Sequence, residues 1–138
     1  MSHPDGLPRL FLDRSLGSVK VPGILREAGL CLITLVEHYG RPRDEEVTDP
    51  EWLELAGDSG WVALTKDKRI RLVRENRQAL ITHGVRCFYI ANQSLTGEEM
   101  AARYLRNLPR ITKACERSGP FMFAVHKDRI TEMPIAGP

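Results

Sequence analysis

Short, unbroken apolar runs recur along the chain, separated by amphipathic or polar stretches. The runs are "RLFL" (9–12), "LCLITLVE" (30–37), "WVALT" (61–65), "VRCFYIA" (85–91) and "FMFAVH" (121–126). They are continuous rather than alternating, as expected of strands covered on both faces. Between them lie helical patterns. A short helix ends near Ala28, with Gly29 as its stop. Thr48 and Glu51 form a T-x-x-E capping box with Pro50 in the first turn, which predicts a helix from about Asp49 to Asp58. Residues 69–82 read as one helix with Ile70, Val73, Arg77 and Leu80 on one face, closed by Gly84. Thr96 and Glu99 open another, with Met100, Tyr104, Leu105 and Leu108 on one side, kinked or split at Pro109 and ended by Gly119. Residues 38–47 carry Gly40 and Pro42 and read as a loop, and "RITEM" (129–133) reads as an edge strand.

Strand and helix alternate throughout. The expected fold is therefore α/β: a three-layer α/β/α sandwich around a central, mainly parallel sheet. One domain over 9–133 accounts for the pattern, with frayed Pro- and Gly-bearing tails at 1–8 and 134–138.

In such a sheet the C-terminal ends of the parallel strands share one edge, where ligands bind. Asp13 follows the first apolar run, Lys66 and Asp67 the third, and Asn92 the fourth. Asp49 opens the second helix, whose N-terminus points to the same edge. Three carboxylates distant in sequence are thus expected to converge. Each has an ordinary use alone, as a turn former or a helix-dipole partner. Together they repel unless a cation lies among them. Oxygen-only ligands suit Mg²⁺ or Mn²⁺, which keep waters and can meet a phosphate. Arg14, Lys66, Lys68, Arg69, Arg71, Arg74 and Arg77 crowd the same segments, with few acids to pair them. A basic rim round an acidic pocket suits a phosphodiester. No aromatic platform is interleaved with these cations, so base recognition has no support.

Composition narrows the setting without changing this picture. The net charge of +2 is too small to indicate nucleic acid by itself, so local patterning decides. Cys31, Cys87 and Cys115 form no CxxC pair and read as reduced, mostly buried thiols of a cytoplasmic protein. The four histidines form no metal motif. No apolar run is long enough to span a membrane.

"FLDRSL", "VTDPEWLELA" and "GWVALTKDKRI" together resemble the PIN-domain superfamily, and within it the compact bacterial PIN-like proteins grouped with VapC-type toxins. The resemblance runs from about Arg9 to Met133. It implies a metal-dependent endoribonuclease using Mg²⁺ or Mn²⁺, often a homodimer, and in toxin members silenced by a small antitoxin. Asp13, Asp49 and Asp67 match the acidic metal positions. On this reading Asp13 and Asp67 ligate the metal, and Asp49 is a third ligand or holds a metal-bound water. Arg14, Lys66 and Lys68 steer the RNA phosphodiester. Many members carry a fourth acid after the fourth strand, where this chain has Asn92 and Gln93. Asn92 is left to bond a metal water or to start the turn. Two other readings stand beside this one. The first is an RNA-binding PIN-like module with weakened catalysis. The second is a receiver-type phospho-acceptor, with Lys127 after the fifth strand, although Asp13 is followed by Arg14 and Ser15 instead of a second acid.

Overall fold

A computed structural model describes residues 2–135. Six strands form one sheet: β1 (Leu10–Leu12), β2 (Leu32–Thr34), β3 (Val62–Thr65), β4 (Arg86–Tyr89), β5 (Phe121–Val125) and β6 (Ile130–Met133). Their order is β2-β1-β3-β4-β5-β6, parallel from β2 to β5, with β6 antiparallel at the edge. The helices are α1 (Lys20–Glu27), α2 (Leu35–Tyr39), α3 (Asp49–Asp58), α4 (Arg69–Leu72), α5 (Arg74–Thr82), α6 (Gly97–Arg106) and α7 (Leu108–Ala114). No helix among the described residues is long and apolar enough to cross a membrane.

The sheet divides two cores, which makes three layers. Leu10, Leu12, Val62, Leu64 and Phe88 point to one face, against Leu25 of α1, Tyr104 of α6 and Ile111 of α7. Phe11, Ala63 and Cys87 point to the other, against Trp52 and Leu53 of α3 and Leu80 of α5. Alternate side chains of a strand face opposite ways, so a run can be wholly apolar only if both faces are covered. Gly57 lets α3 lie against the end of α5, since a Cβ there would meet the His83 carbonyl oxygen at 2.2 Å.

Four expectations are corrected. The strand read over 30–37 stops at Thr34, because Thr34 and Glu37 make a capping box that starts α2. The same T-x-x-E signal opens α3 and α6. The helix read over 69–82 breaks at Val73, whose backbone is extended, giving α4 and α5. Cys31 is exposed because it precedes β2 on the sheet's edge, whereas Cys87 and Cys115 are buried and their thiols are pushed up, Cys115 to about 11. The N-terminal segment is tied down rather than frayed. His3 Nε2 donates to the Leu7 carbonyl at 2.7 Å, its Nδ1 accepts the Cys31 N–H at 3.0 Å, and Leu7 is buried. Of the C-terminal tail, 136–138 lie outside the described residues.

The apolar side of α6 belongs to the core. Tyr104 is buried, and its hydroxyl lies within hydrogen-bond reach of the Thr65 (3.3 Å) and Phe88 (3.2 Å) carbonyls. It thereby fixes α6 at the ends of β3 and β4.

Candidate functional site

The strand order reverses between β1 and β3, so the crevice between their C-terminal ends is the place to look for a ligand. Asp13 leaves β1 there and Asp67 leaves β3 one residue after Lys66. Asp13 is 2% exposed, a strong constraint for an acid. Its Oδ1 accepts the Ser15 N–H at 3.1 Å and the Ser15 hydroxyl, and its Oδ2 accepts the Thr65 hydroxyl at 2.8 Å. The network continues across the crevice. Thr65 Oγ1 accepts the Asp67 N–H at 3.0 Å, and Ser15 Oγ accepts the Lys66 N–H at 3.0 Å. Two hydroxyls therefore lock the turn after β3 to the carboxylate after β1.

Asp49 is placed from below. It is the first residue of α3, capped by Thr48. Its Oδ1 accepts the Trp52 indole N–H at 3.0 Å, and its Oδ2 accepts Asn76 Nδ2 at 3.1 Å. Asn76 also donates to the Arg69 carbonyl at 3.2 Å. The break at Val73 gives this buried amide a role: it joins α5 to both α4 and α3.

Asp67 does not stand free. The Arg69 guanidinium grips its carboxylate through Nε (3.0 and 3.1 Å) and Nη2 (2.7 Å), and the Arg69 N–H adds a bond at 2.9 Å. The expectation that the cations only rim the site is corrected here, since Arg69 is a direct counter-ion. Partial burial pushes the Asp67 pKa up, but the bonds from Arg69 and the charge of Arg14 outweigh it and hold the group below the usual value. Besides its bonds to Asp67, Arg69 feels the charges of Asp49 and Asp13, which add to the raising of its pKa. Even so, their oxygens do not form a closed cage. Among the described residues the only three potential ligands mutually within 4.8 Å are Glu54, Asp58 and His83. Asp58 ends α3 about 13 Å along its axis from Asp49, and His83 caps α5 beside it, so this group is separate from the crevice.

Arg69 sits two-thirds exposed, so its pair with Asp67 is worth at most about 1 kcal/mol. Removing it with Arg69→Gln should tighten Mn²⁺ binding about two- to fivefold, measured by titration calorimetry on the metal-free protein. Unchanged or weaker binding would show that Arg69 does not compete for Asp67.

Burial, and more weakly the Asp49 charge, raise the Asp13 pKa from 3.8 to about 6 against the bonds from Ser15 and Thr65. The unfolded chain ionises this group near 3.8. Below that value both states hold the proton and the site costs nothing. Between 3.8 and about 6 the unfolded chain has given up the proton while the native state keeps it, so stability falls as pH rises and levels off above about 6, where the native state buries a carboxylate. Over that interval, at about 1.4 kcal/mol per pH unit, the loss reaches about 3 kcal/mol. Metal-free Asp13→Asn should therefore gain stability over the parent at pH 7–8 and lose that gain near pH 4, as read by urea unfolding. A gain that is flat with pH would exclude Asp13 as the source.

The remaining expected site residues divide. Lys66 and Lys68, with Ser15, Asp67, Arg69 and Gln93, line an open cavity of about 340 Å³. Arg14 is exposed beside the crevice but spends a guanidinium nitrogen on the Val47 carbonyl, which anchors the approach to α3. Asn92 stays out of this cavity's lining, because its Oδ1 accepts the Ser94 N–H at 2.9 Å in an Asx turn. Gln93 enters instead, donating to the Lys66 carbonyl at 2.9 Å. Sequence reasoning also missed Ser15, Thr65, Trp52 and Asn76 as supports. Only the D-x-S spacing of Asp13 and Ser15, an Asx-turn signal, was available to find one of them.

Fold and site together define an α/β sandwich whose topological switch point carries Asp13 after β1 and Asp67 after β3, joined through Thr65, with cations beside them. The chain belongs to the family described as PIN like domain, whose model matches residues 8–92. It is 37% identical, over 127 residues and 92% of each chain, to a Mycobacterium tuberculosis (strain ATCC 25618 / H37Rv) protein named "Putative ribonuclease VapC45". No solved structure matches the chain. Family membership leaves the receiver-type alternative without support.

Proposed function

We propose that this chain is a metal-dependent endoribonuclease that hydrolyses RNA phosphodiester bonds, acting as the toxin of a toxin–antitoxin pair. The observation that carries the reading is the buried, double-hydroxyl-bonded Asp13 joined through Thr65 to Asp67. The name of the mycobacterial relative, a ribonuclease, supports the RNA substrate. The toxin role rests on the resemblance to VapC-type proteins. A small antitoxin partner and a homodimer belong to the same proposal.

The donor set fits Mg²⁺ or Mn²⁺. It offers only oxygens, and one of the three acids, Asp67, already holds a cationic guanidinium. An open arrangement suits Mg²⁺, which takes one or two carboxylates and keeps waters for the rest. Asp13 and Asp67 would hold the ion, with Asp49 as a third ligand or through a water. Bound there, the ion would polarise a phosphoryl oxygen and make an attacking water more acidic. The protein's own part is positioning. Ser15 and Thr65 keep both Asp13 oxygens in place, Trp52 and Asn76 do so for Asp49, and Lys66, Lys68 and Arg14 draw in the phosphodiester. Once displaced from Asp67, Arg69 joins that cationic rim.

The test is degradation of RNA by the purified protein, stopped by chelator and restored by Mn²⁺. RNA loss that is indifferent to metal would defeat the reading. The exposed Asn92, standing where many members have an acid, favours one alternative: an RNA-binding module without catalysis. Tight RNA binding with no metal-stimulated cleavage would select it.

A further inference from the structure

The same sheet edge continues past β3. The loop 91–96 after β4 puts Gln93 into the cavity beside Asp67, while Leu95 lines a second pocket. That pocket, of about 250 Å³, is shared by Arg103 and Arg106 of α6 and by Lys127, just beyond β5. The one carboxylate in its lining, Glu99, is already committed, and so is Asp128 beside it. Glu99 accepts the Thr96 N–H in the α6 capping box, and Asp128 pairs with Arg106. Arg103 leans on the Val125 carbonyl at 3.4 Å. Lys127 and Arg129 make no ion pair among the described residues. The excess positive charge is felt locally: partial burial, then Arg129 and Arg103, lower the pKa of His126. Leu95 and Ala102 give the pocket an apolar wall beside its cations.

We infer that this pocket is a second phosphate subsite, in which Lys127 and Arg103 hold the backbone of a single RNA strand whose scissile phosphate lies at Asp13 and Asp67. β3 and β5 are two strand spacings apart, roughly 10 Å. A stacked strand covers that in about three nucleotides at about 3.4 Å each. The two pockets flank one loop on one edge, so the strand runs along the edge rather than away from it. Contacts to the backbone position the substrate without reading its sequence. The subsite rests on the ribonuclease reading and extends the bound strand several nucleotides beyond the cut, toward β5.

The experiment measures binding of a fluorescent 12-nucleotide RNA by anisotropy, with chelator present so that nothing is cleaved. It compares the parent with Lys127→Ala and with Lys113→Ala, an equal charge change on α7. Both lysines are exposed, so the fold should tolerate either change. Lys127→Ala is expected to weaken binding about three- to tenfold and to lower the slope of log affinity against log salt by about one. Lys113→Ala should change neither, and a dinucleotide should lose little to either variant. Equal losses in the two variants, or none in Lys127→Ala, would overturn the subsite even if the parent binds and cleaves RNA with Mn²⁺. A parent that neither binds nor cleaves RNA would overturn the ribonuclease reading and the subsite with it.

Discussion

Asp67→Asn should reduce Mn²⁺-stimulated RNA cleavage at least about a hundredfold while the protein stays folded. Asparagine keeps the shape of the side chain, and its Oδ1 can still accept the Arg69 N–H that closes the turn. What disappears is the negative charge. A divalent ion supplies several kcal/mol of transition-state stabilisation, and each 1.4 kcal/mol or so is worth about tenfold in rate. The fold, by contrast, loses only an ion pair whose arginine is largely in solvent, about 1 kcal/mol or less. The measurement is initial rates on a labelled RNA at saturating Mn²⁺, with thermal melts of both proteins alongside. Equal rates in parent and variant would exclude Asp67 as a metal ligand and remove the central claim about the site.

The largest expected effect on stability belongs to Trp52, the residue joining core and site. It is 1% exposed, stacks on Phe11 at 5.6 Å between ring centroids, and donates its indole N–H to Asp49. Trp52→Ala should cost about 3–5 kcal/mol, because the lost burial is compounded by a cavity that α3 and the sheet cannot fully close. Against a typical total of about 5–15 kcal/mol, the variant is left marginal. Trp52→Phe separates the two roles. It keeps most of the apolar volume but frees Asp49 from its donor, so metal affinity should fall about tenfold or more with a modest change in stability. Urea unfolding and metal titration on the three proteins check both statements. A cost below about 1 kcal/mol for Trp52→Ala would mean that α3 is not docked through this side chain.

Where the chemistry of a segment is local, the sequence already contained it. The capping boxes Thr48/Glu51 and Thr96/Glu99 announced α3 and α6, because an N-cap hydroxyl and the N3 carboxylate find each other across one turn. The unbroken apolar runs announced a sheet covered on both faces. The same rule applied at Thr34 would have ended β2 correctly, but the apolar residues around it masked the signal. The break at Val73 has no such signature. Ile70 and Leu80 are buried in the same core, yet Asn76, between them in sequence, is turned inward by partners on α3 and α4.

The sequence by itself determined the layers, the mainly parallel sheet and the positions of Asp13 after β1, Asp67 after β3 and Asp49 at the start of α3. These follow from periodicity, from the polar residues that end apolar runs and from the Thr48/Glu51 capping box. Only the tertiary structure decided how those acids are held. Thr65 and Ser15 bond Asp13, Trp52 and Asn76 bond Asp49, and Arg69 takes the Asp67 carboxylate. The exchange of Asn92 for Gln93 at the pocket was decided there too. Thr65 and Asn76 come from other elements than the acids they bond, and a hydrogen bond depends on angles and distances of a few tenths of an ångström. For those two pairs no spacing along the chain encodes the geometry. It exists once β1, β3, α3 and α5 have packed against one another.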